Sequence, residues 1–161
     1  HEYSVQIYEK SKEKEDIVAV TSHFEHILSF ENYINESVKD IDGIKVWEMD
    51  KSREFSPTII IPVQKVIRKE VMELKISLNY MALETISNDE ALLVLSVENA
   101  GKKLRYENSD LISQGNEWEN MEMNIKMPGN IPESSEIGVY LWNTGRKHFL
   151  IKEMRVDTKS Y

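Results

Sequence analysis

The sequence predicts an all-β protein, an antiparallel β-sandwich, and three observations carry that prediction. Short apolar segments alternating with polar residues run almost end to end from Leu74 to Val156. Gly, Asn and Pro interrupt them at hairpin-like intervals. The series closes on Gly138-Val139-Tyr140-Leu141-Trp142-Asn143, where aliphatic residues hold one phase and aromatic residues the other. Period-two alternation with turn residues between runs means sandwich or barrel, not alternating βαβ units. No repeat recurs at a fixed period.

Residues 1–18 read as a polar N-terminal arm or linker, and 19–161 as the sandwich domain. Tyr3, Val5 and Ile7 alternate briefly, enough for an edge strand over Tyr3 to Tyr8. Lys10, Lys12 and Lys14 then interleave with Glu9, Glu13, Glu15 and Asp16 as a solvated, mobile mixed-charge run. From Ile17 to Ile34 two readings compete. Ser22-His23-Phe24-Glu25 matches a capping box, with Phe24, Ile27, Leu28 and Glu31 at helical spacing. The other reading is a strand from Ile27 to Ile34 with Leu28, Phe30 and Asn32 on one face. The strand is preferred because all that follows is β and a lone helix needs a packing partner.

Asp40-Ile41-Asp42-Gly43 is a turn whose glycine is free to take positive φ. Ile44 and Val46 then alternate with Lys45 and Trp47, putting Trp47 out of phase with the aliphatic pair. Phe55-Ser56-Pro57 punctuates, and the β-branched run Thr58 to Ile61 ends at Pro62, which lacks the donor a central strand needs. Leu74, Ile76, Leu78, Tyr80 and Ala82 share one face of the best strand in the chain. Leu93, Leu95 and Val97 lead through Asn99-Ala100-Gly101-Lys102 into Leu104 and Tyr106, a hairpin signature. Met121, Met123, Ile125 and Met127 alternate until Pro128-Gly129. A last hairpin is expected to join Val139–Trp142 to Phe149–Ile151 through Asn143-Thr144-Gly145-Arg146.

The 161 residues suffice for one domain with a real core. Cysteine is absent, so disulfides and thiolate metal sites are excluded. A net charge of −8 argues against nucleic acid, because tracking phosphates takes clustered Lys and Arg. No apolar run reaches the ~18 residues that span a bilayer. The opening His1-Glu2-Tyr3 is no signal peptide, and the expectation is a mature or trimmed chain whose signal or membrane segment stands outside it.

Catalytic patterns are missing. His23-Phe24-Glu25-His26 is not His-Glu-x-x-His, and on a strand its histidines face opposite sides, with a third ligand such as His148 still required. Asp40-x-Asp42-Gly43 lacks the further oxygens of a calcium loop. There is no nucleophile elbow and no Gly-rich phosphate cradle. Carboxylates abound, but a lone sandwich offers little enclosure to raise the pKa of one of them. The reading is therefore not an enzyme, with no metal and no cofactor; a glycoside-processing enzyme stands third among the alternatives.

Aromatic residues are the remaining signal. With Val139 and Leu141 in the core, Tyr140 and Trp142 face the other way. Pyranose C–H groups carry partial positive charge and pack on the negative face of an aromatic ring. Trp142 and Tyr140 are the first candidate carbohydrate-binding residues, with Trp47 and Tyr106 behind them. The plainer alternative is that these rings pack beneath loops or the first strand. Trp118 reads as structural, filling the sandwich edge.

Several segments together resemble jelly-roll domains of the carbohydrate-binding-module kind, galactose-binding-like in topology. Ser29-Phe30-Glu31, Gly43-Ile44-Lys45-Val46 and Glu54-Phe55-Ser56-Pro57 resemble the opening of such domains. The second half is matched by Leu93-x-Leu95-x-Val97-Glu98-Asn99-x-Gly101-Lys102, Asn116-Glu117-Trp118, Val139-Tyr140-Leu141-Trp142-Asn143 and Ile151-Lys152-Glu153-Met154-Arg155-Val156. The likeness covers residues 26–158. It is nearest to an often extracytoplasmic type common in Bacteroidetes-like bacteria, itself of no assigned function, some members of which form the soluble end of membrane glycosyltransferases. The resemblance implies a non-catalytic accessory module that binds or positions glycan or cell-envelope polysaccharide, in the periplasm, on the cell surface or secreted. The alternative it leaves open is a ligand-free structural or interaction domain. One departure concerns calcium: where such modules carry an acidic residue early in the final strand, which with an N-terminal Glu or Asp holds the ion, this chain has Lys152, and only Glu153 beside it is acidic. Lys152 is expected to pair with Glu31 in place of an ion.

Overall fold

The computed structural model describes residues 4–12, 21–65, 71–128 and 130–160. Two antiparallel sheets face each other across a single apolar core. The larger comprises β1 (Ser4–Lys12), β2 (Thr21–Ser29), β3 (Val38–Ile41), β4 (Ile44–Met49), β6 (Val71–Ala82), β9 (Trp118–Pro128) and β11 (Phe149–Ser160). The smaller runs β5 (Ile59–Pro62), β10 (Glu136–Trp142), β7 (Leu92–Asn99) and β8 (Lys102–Asp110), in that order. From β4 onward the spatial orders are β4-β11-β6-β9 and β5-β10-β7-β8. That is jelly-roll topology, as expected. β11 is the axis of the larger sheet. β6 lies along one side of it, while β4 pairs with its first three residues and β2 with the remainder on the other side.

The alternation in the sequence decides which side chains enter the core. Met72, Leu74, Ile76, Leu78, Tyr80 and Ala82 of β6 are buried, and the residues between them are not. They meet Ile137, Val139 and Leu141 of β10 and Leu93, Leu95 and Val97 of β7 in one cluster. Each such aliphatic side chain contributes about 2 kcal/mol through the apolar surface it removes from water. Two tight turns form where glycine predicts them. Asp42 and Gly43 (φ 52° and 84°) join β3 to β4, and Ala100 and Gly101 (φ 51° and 79°) join β7 to β8. Positive φ at both central residues is the mirror-image turn whose twist suits a two-residue hairpin. Pro62 sits on β5, an edge strand, where its missing N–H is tolerated.

Four local expectations need correction or refinement. The strand expected from Ile27 to Ile34 runs instead from Thr21 to Ser29; Leu28 and Phe30 are buried as expected, but the chain turns after Phe30 and leaves Ile34 in solvent. The edge strand expected over Tyr3–Tyr8 extends to Lys12 and pairs with β2, while most of the charge run beyond it lies outside the described residues. Trp118 does not fill the sandwich edge but stands 39% exposed at the start of β9. The last hairpin does not exist. β10 belongs to the smaller sheet and β11 to the larger, so Asn143–His148 crosses between layers.

The crossing has its own chemistry. Asn143 is fully buried; its side-chain amide donates to the carbonyls of Asp50, Arg53 and Lys147 (3.2, 3.2 and 2.8 Å), and its Oδ1 accepts from Lys147 N–H at 2.7 Å. Its own N–H donates to Glu54 O at 2.7 Å. One side chain thus pins the segment after β4 to the corner between the sheets. Gly145 lies against Glu90, whose Cβ would stand 2.9 Å from any side chain placed there.

Candidate functional site

The outward side of the smaller sheet is built by the phase of β10. Because Ile137, Val139 and Leu141 point inward, Glu136, Gly138, Tyr140 and Trp142 point out. Tyr140 lies opposite Val94 of β7, and Tyr106 of β8 lies opposite Ser96, which brings both tyrosines to one face. The corner pinned by Asn143 then delivers a ring that sequence reading did not single out. Phe55 makes an antiparallel bridge with Trp142, fastened by Ser56 N–H to Leu141 O (3.1 Å) and Leu141 N–H to Ser56 Oγ (2.8 Å). Its ring stacks on Trp142 at 6.0 Å and 20° and meets Tyr140 edge-on at 5.8 Å and 72°. Phe55 remains 49% exposed. The available signal was an aromatic residue inside a Ser-Pro break, with no alternating apolar partners to bury it.

Phe55, Tyr106, Tyr140, Trp142 and Lys103 line an open cleft of about 390 Å³. Lys103 owes its place to a β-bulge. Val97 pairs with Arg105 and Glu98 with Lys103, so Leu104 is the extra residue. Without it, residues three apart would face opposite sides of the sheet; with it, Lys103 Nζ lies 4.7 Å from the centre of the Tyr106 ring. Burial, reinforced by the neighbouring Tyr106 and Glu98, pushes the Tyr140 hydroxyl above the ordinary phenol pKa, so it stays protonated and able to donate. The cleft therefore offers ring faces, phenol donors and one ammonium group.

Trp142, Tyr140 and Tyr106 are brought together; Trp47 is not among them. It lies in the larger sheet, only 3% exposed, with its ring 5.6 Å from both Phe30 and Tyr33 and the Arg53 guanidinium 4.8 Å above it. Its indole N–H donates to Met49 Sδ at 3.3 Å. The inward phase of β4 is that of Trp47 and Met49, opposite to the one that Ile44 and Val46 suggest. In a six-residue strand with apolar residues in both phases, packing against Phe30 decides the face.

The other candidates are also placed. His26 is buried in β2 beside Val156, its pKa lowered by burial against a smaller opposing effect of Asp157. His148 closes the crossing segment just before β11, with Nε2 2.8 Å from Glu48 Oε2. The side chain of His23 lies outside the described residues. Among the described residues no group of three or more His, Asp or Glu is placed to hold a metal. Lys152 is the irregular residue of β11 and makes no ion pair with Glu31, whose carboxylate instead accepts from Lys45 N–H at 3.5 Å. No helix among the described residues is long and apolar enough to cross a membrane.

No protein-family model and no curated protein matches the sequence. Solved structures do show similarity. Over 99% of its length the chain is similar to 13% of dimeric latent PorU from Porphyromonas gingivalis, at 11% identity and a TM-score of 0.46. Over 77% it is similar to 91% of a family 16 carbohydrate-binding module, at 8% identity and a TM-score of 0.44. Over 94% it is similar to 80% of the CBM22-1 xylan-binding domain of Paenibacillus barcinonensis Xyn10C, at 12% identity and a TM-score of 0.34. The chain thus spans a small part of PorU and most of each binding module, and several of the similar structures are carbohydrate-binding modules.

Proposed function

We propose that this chain is a non-catalytic module that binds or positions glycan through the cleft of Trp142, Tyr140, Phe55 and Tyr106, in the bacterial envelope or outside the cell. One observation carries the reading: Tyr140 and Trp142, each within 6.0 Å of the Phe55 ring, open to solvent on a sheet face, beside phenol donors, rather than closing on the core. Flat sugar faces stack on such rings, and hydroxyl hydrogen bonds fix their orientation. The placement outside the cytoplasm rests on the resemblance of the sequence to jelly-roll modules. A second reading, a ligand-free interaction domain such as the soluble cap of a membrane glycosyltransferase, draws on Phe55, which already covers one side of Trp142.

A glycan array followed by calorimetry tests the proposal. The wild-type chain is expected to bind members of one glycan class with a Kd on the order of 10–1000 μM. Trp142→Ala is expected to weaken binding at least about tenfold, as loss of a ring platform worth ~1.5 kcal/mol implies, with little change in melting temperature. Failure to bind any array member rejects the reading in favour of the interaction domain.

A further inference from the structure

Beside the aromatic cleft, and sharing Tyr140 with it, is a notch of about 200 Å³ whose floor is Gly138. We infer that this notch is a second sugar subsite, so that the face binds a neutral oligosaccharide of two or more units running across β10 rather than a single terminal sugar. The inference rests on the glycan reading above and adds to it the length and charge class of the ligand.

Three features of the notch have no explanation in folding. The first is the glycine. Gly138 lies in the middle of a paired strand and does not take positive φ. A Cβ there would make only ordinary contacts, 3.5 Å from Ser96 Oγ and 3.6 Å from Thr58 Cγ2. Neither backbone conformation nor packing demands glycine at a position where it weakens a strand. Close approach of a ligand to the backbone does.

The second is Ser96. It is 7% exposed and lines the notch, and among the described residues its hydroxyl takes no hydrogen bond. The hydroxyl is not among the buried polar atoms that lack a partner, so solvent reaches it, and a ligand hydroxyl entering the notch can take that place. The third is the pair Glu98 and Glu136, which stand directly opposite each other on β7 and β10 at the rim. Like charges in that register oppose pairing, and neither carboxylate has a cationic partner within salt-bridge distance among the described residues. Two carboxylates fall well short of the six to eight oxygens calcium takes. They suit sugar hydroxyls, which donate to carboxylates, and they repel uronates. Exposed Ile60, paired with Gly138 from β5, supplies an apolar wall for sugar C–H groups.

Calorimetric titration tests this with neutral β-1,4-linked gluco-, xylo- and manno-oligosaccharides of one to six units, and with galacturonate oligomers as the charged counterpart. In the wild type, affinity is expected to rise at least about tenfold from one unit to four, the gain of a hydrogen bond or two to a charged group. Gly138→Val, which fills the notch, and Glu136→Gln are each expected to erase that rise while leaving monosaccharide affinity unchanged. Trp142→Ala weakens every length. Gly138→Ala controls for folding, and Glu136→Gln carries the test if Gly138→Val does not fold. Trp142-dependent binding with no length dependence, a rise that survives both notch variants, or galacturonates bound as tightly as neutral chains would overturn the second subsite alone. No binding of any probe would overturn it together with the glycan reading.

Discussion

Among the described residues stand two aromatic clusters of nearly equal geometry and opposite consequence. Phe30, Tyr33 and Trp47 sit 5.1–5.6 Å apart on the larger sheet, and Phe55, Tyr140 and Trp142 are linked by contacts of 5.8 and 6.0 Å on the smaller one. Both combine edge-on and more nearly parallel ring pairs. The first points inward, is closed over Trp47 by Arg53, and belongs to the core. The second points outward and opens into a cleft. Ring contacts alone therefore do not decide which cluster is open to solvent; the phase of the strand relative to the core does. Asn143 serves both, since it pins the carbonyls of Asp50 and Arg53 on the segment that delivers Arg53 to one cluster and Phe55 to the other.

The comparison is sharpest at Trp47. Trp47→Ala is expected to destabilise the fold by about 3–5 kcal/mol, the usual cost of emptying a large core site, measured by urea denaturation. Glycan affinity of the folded fraction should not change; a selective loss of affinity at unaltered stability would place Trp47 in the binding surface after all. Next comes Asn143→Ala. It removes several buried hydrogen bonds at once and should cost about 2–3 kcal/mol. Because the corner carries Phe55, affinity should fall as well. If stability drops and affinity holds, the aromatic cleft does not depend on the corner. The smallest effect on the fold is expected from Phe55→Ala. Half-exposed, it should change stability by no more than ~1 kcal/mol and weaken glycan binding severalfold in the same titration. Tighter binding instead would mean that Phe55 shields Trp142, as the interaction-domain reading requires.

Where sequence reasoning failed, it failed at particular residues for a common reason. Asn143-Thr144-Gly145-Arg146 was recognisably a turn, yet its flanking strands join different sheets, because turn chemistry acts over a few residues and the partners of β10 and β11 are dozens of residues away. Trp47 reads onto the wrong face from alternation alone because Val46 is buried too, so the pattern of β4 has no unique phase. Phe55 belongs to no alternating run and gains its partners only across the corner. Tyr140 and Trp142 were legible because Val139 and Leu141 leave no doubt which face of β10 is apolar. Lys103 and Tyr106 needed the bulge at Leu104, which nothing local announces.

By itself, the sequence determined the all-β class, the two glycine-led hairpin turns and the inward set of β6, β7 and β10, consequences of side chains alternating along one strand and of turn chemistry acting over a few residues. Tertiary structure alone decided which strands are neighbours, that the last connection crosses between layers, and that rings from residues 55, 106, 140 and 142 share one face. Those depend on contacts distant in the chain, where the free energy of packing two sheets together outweighs any local preference.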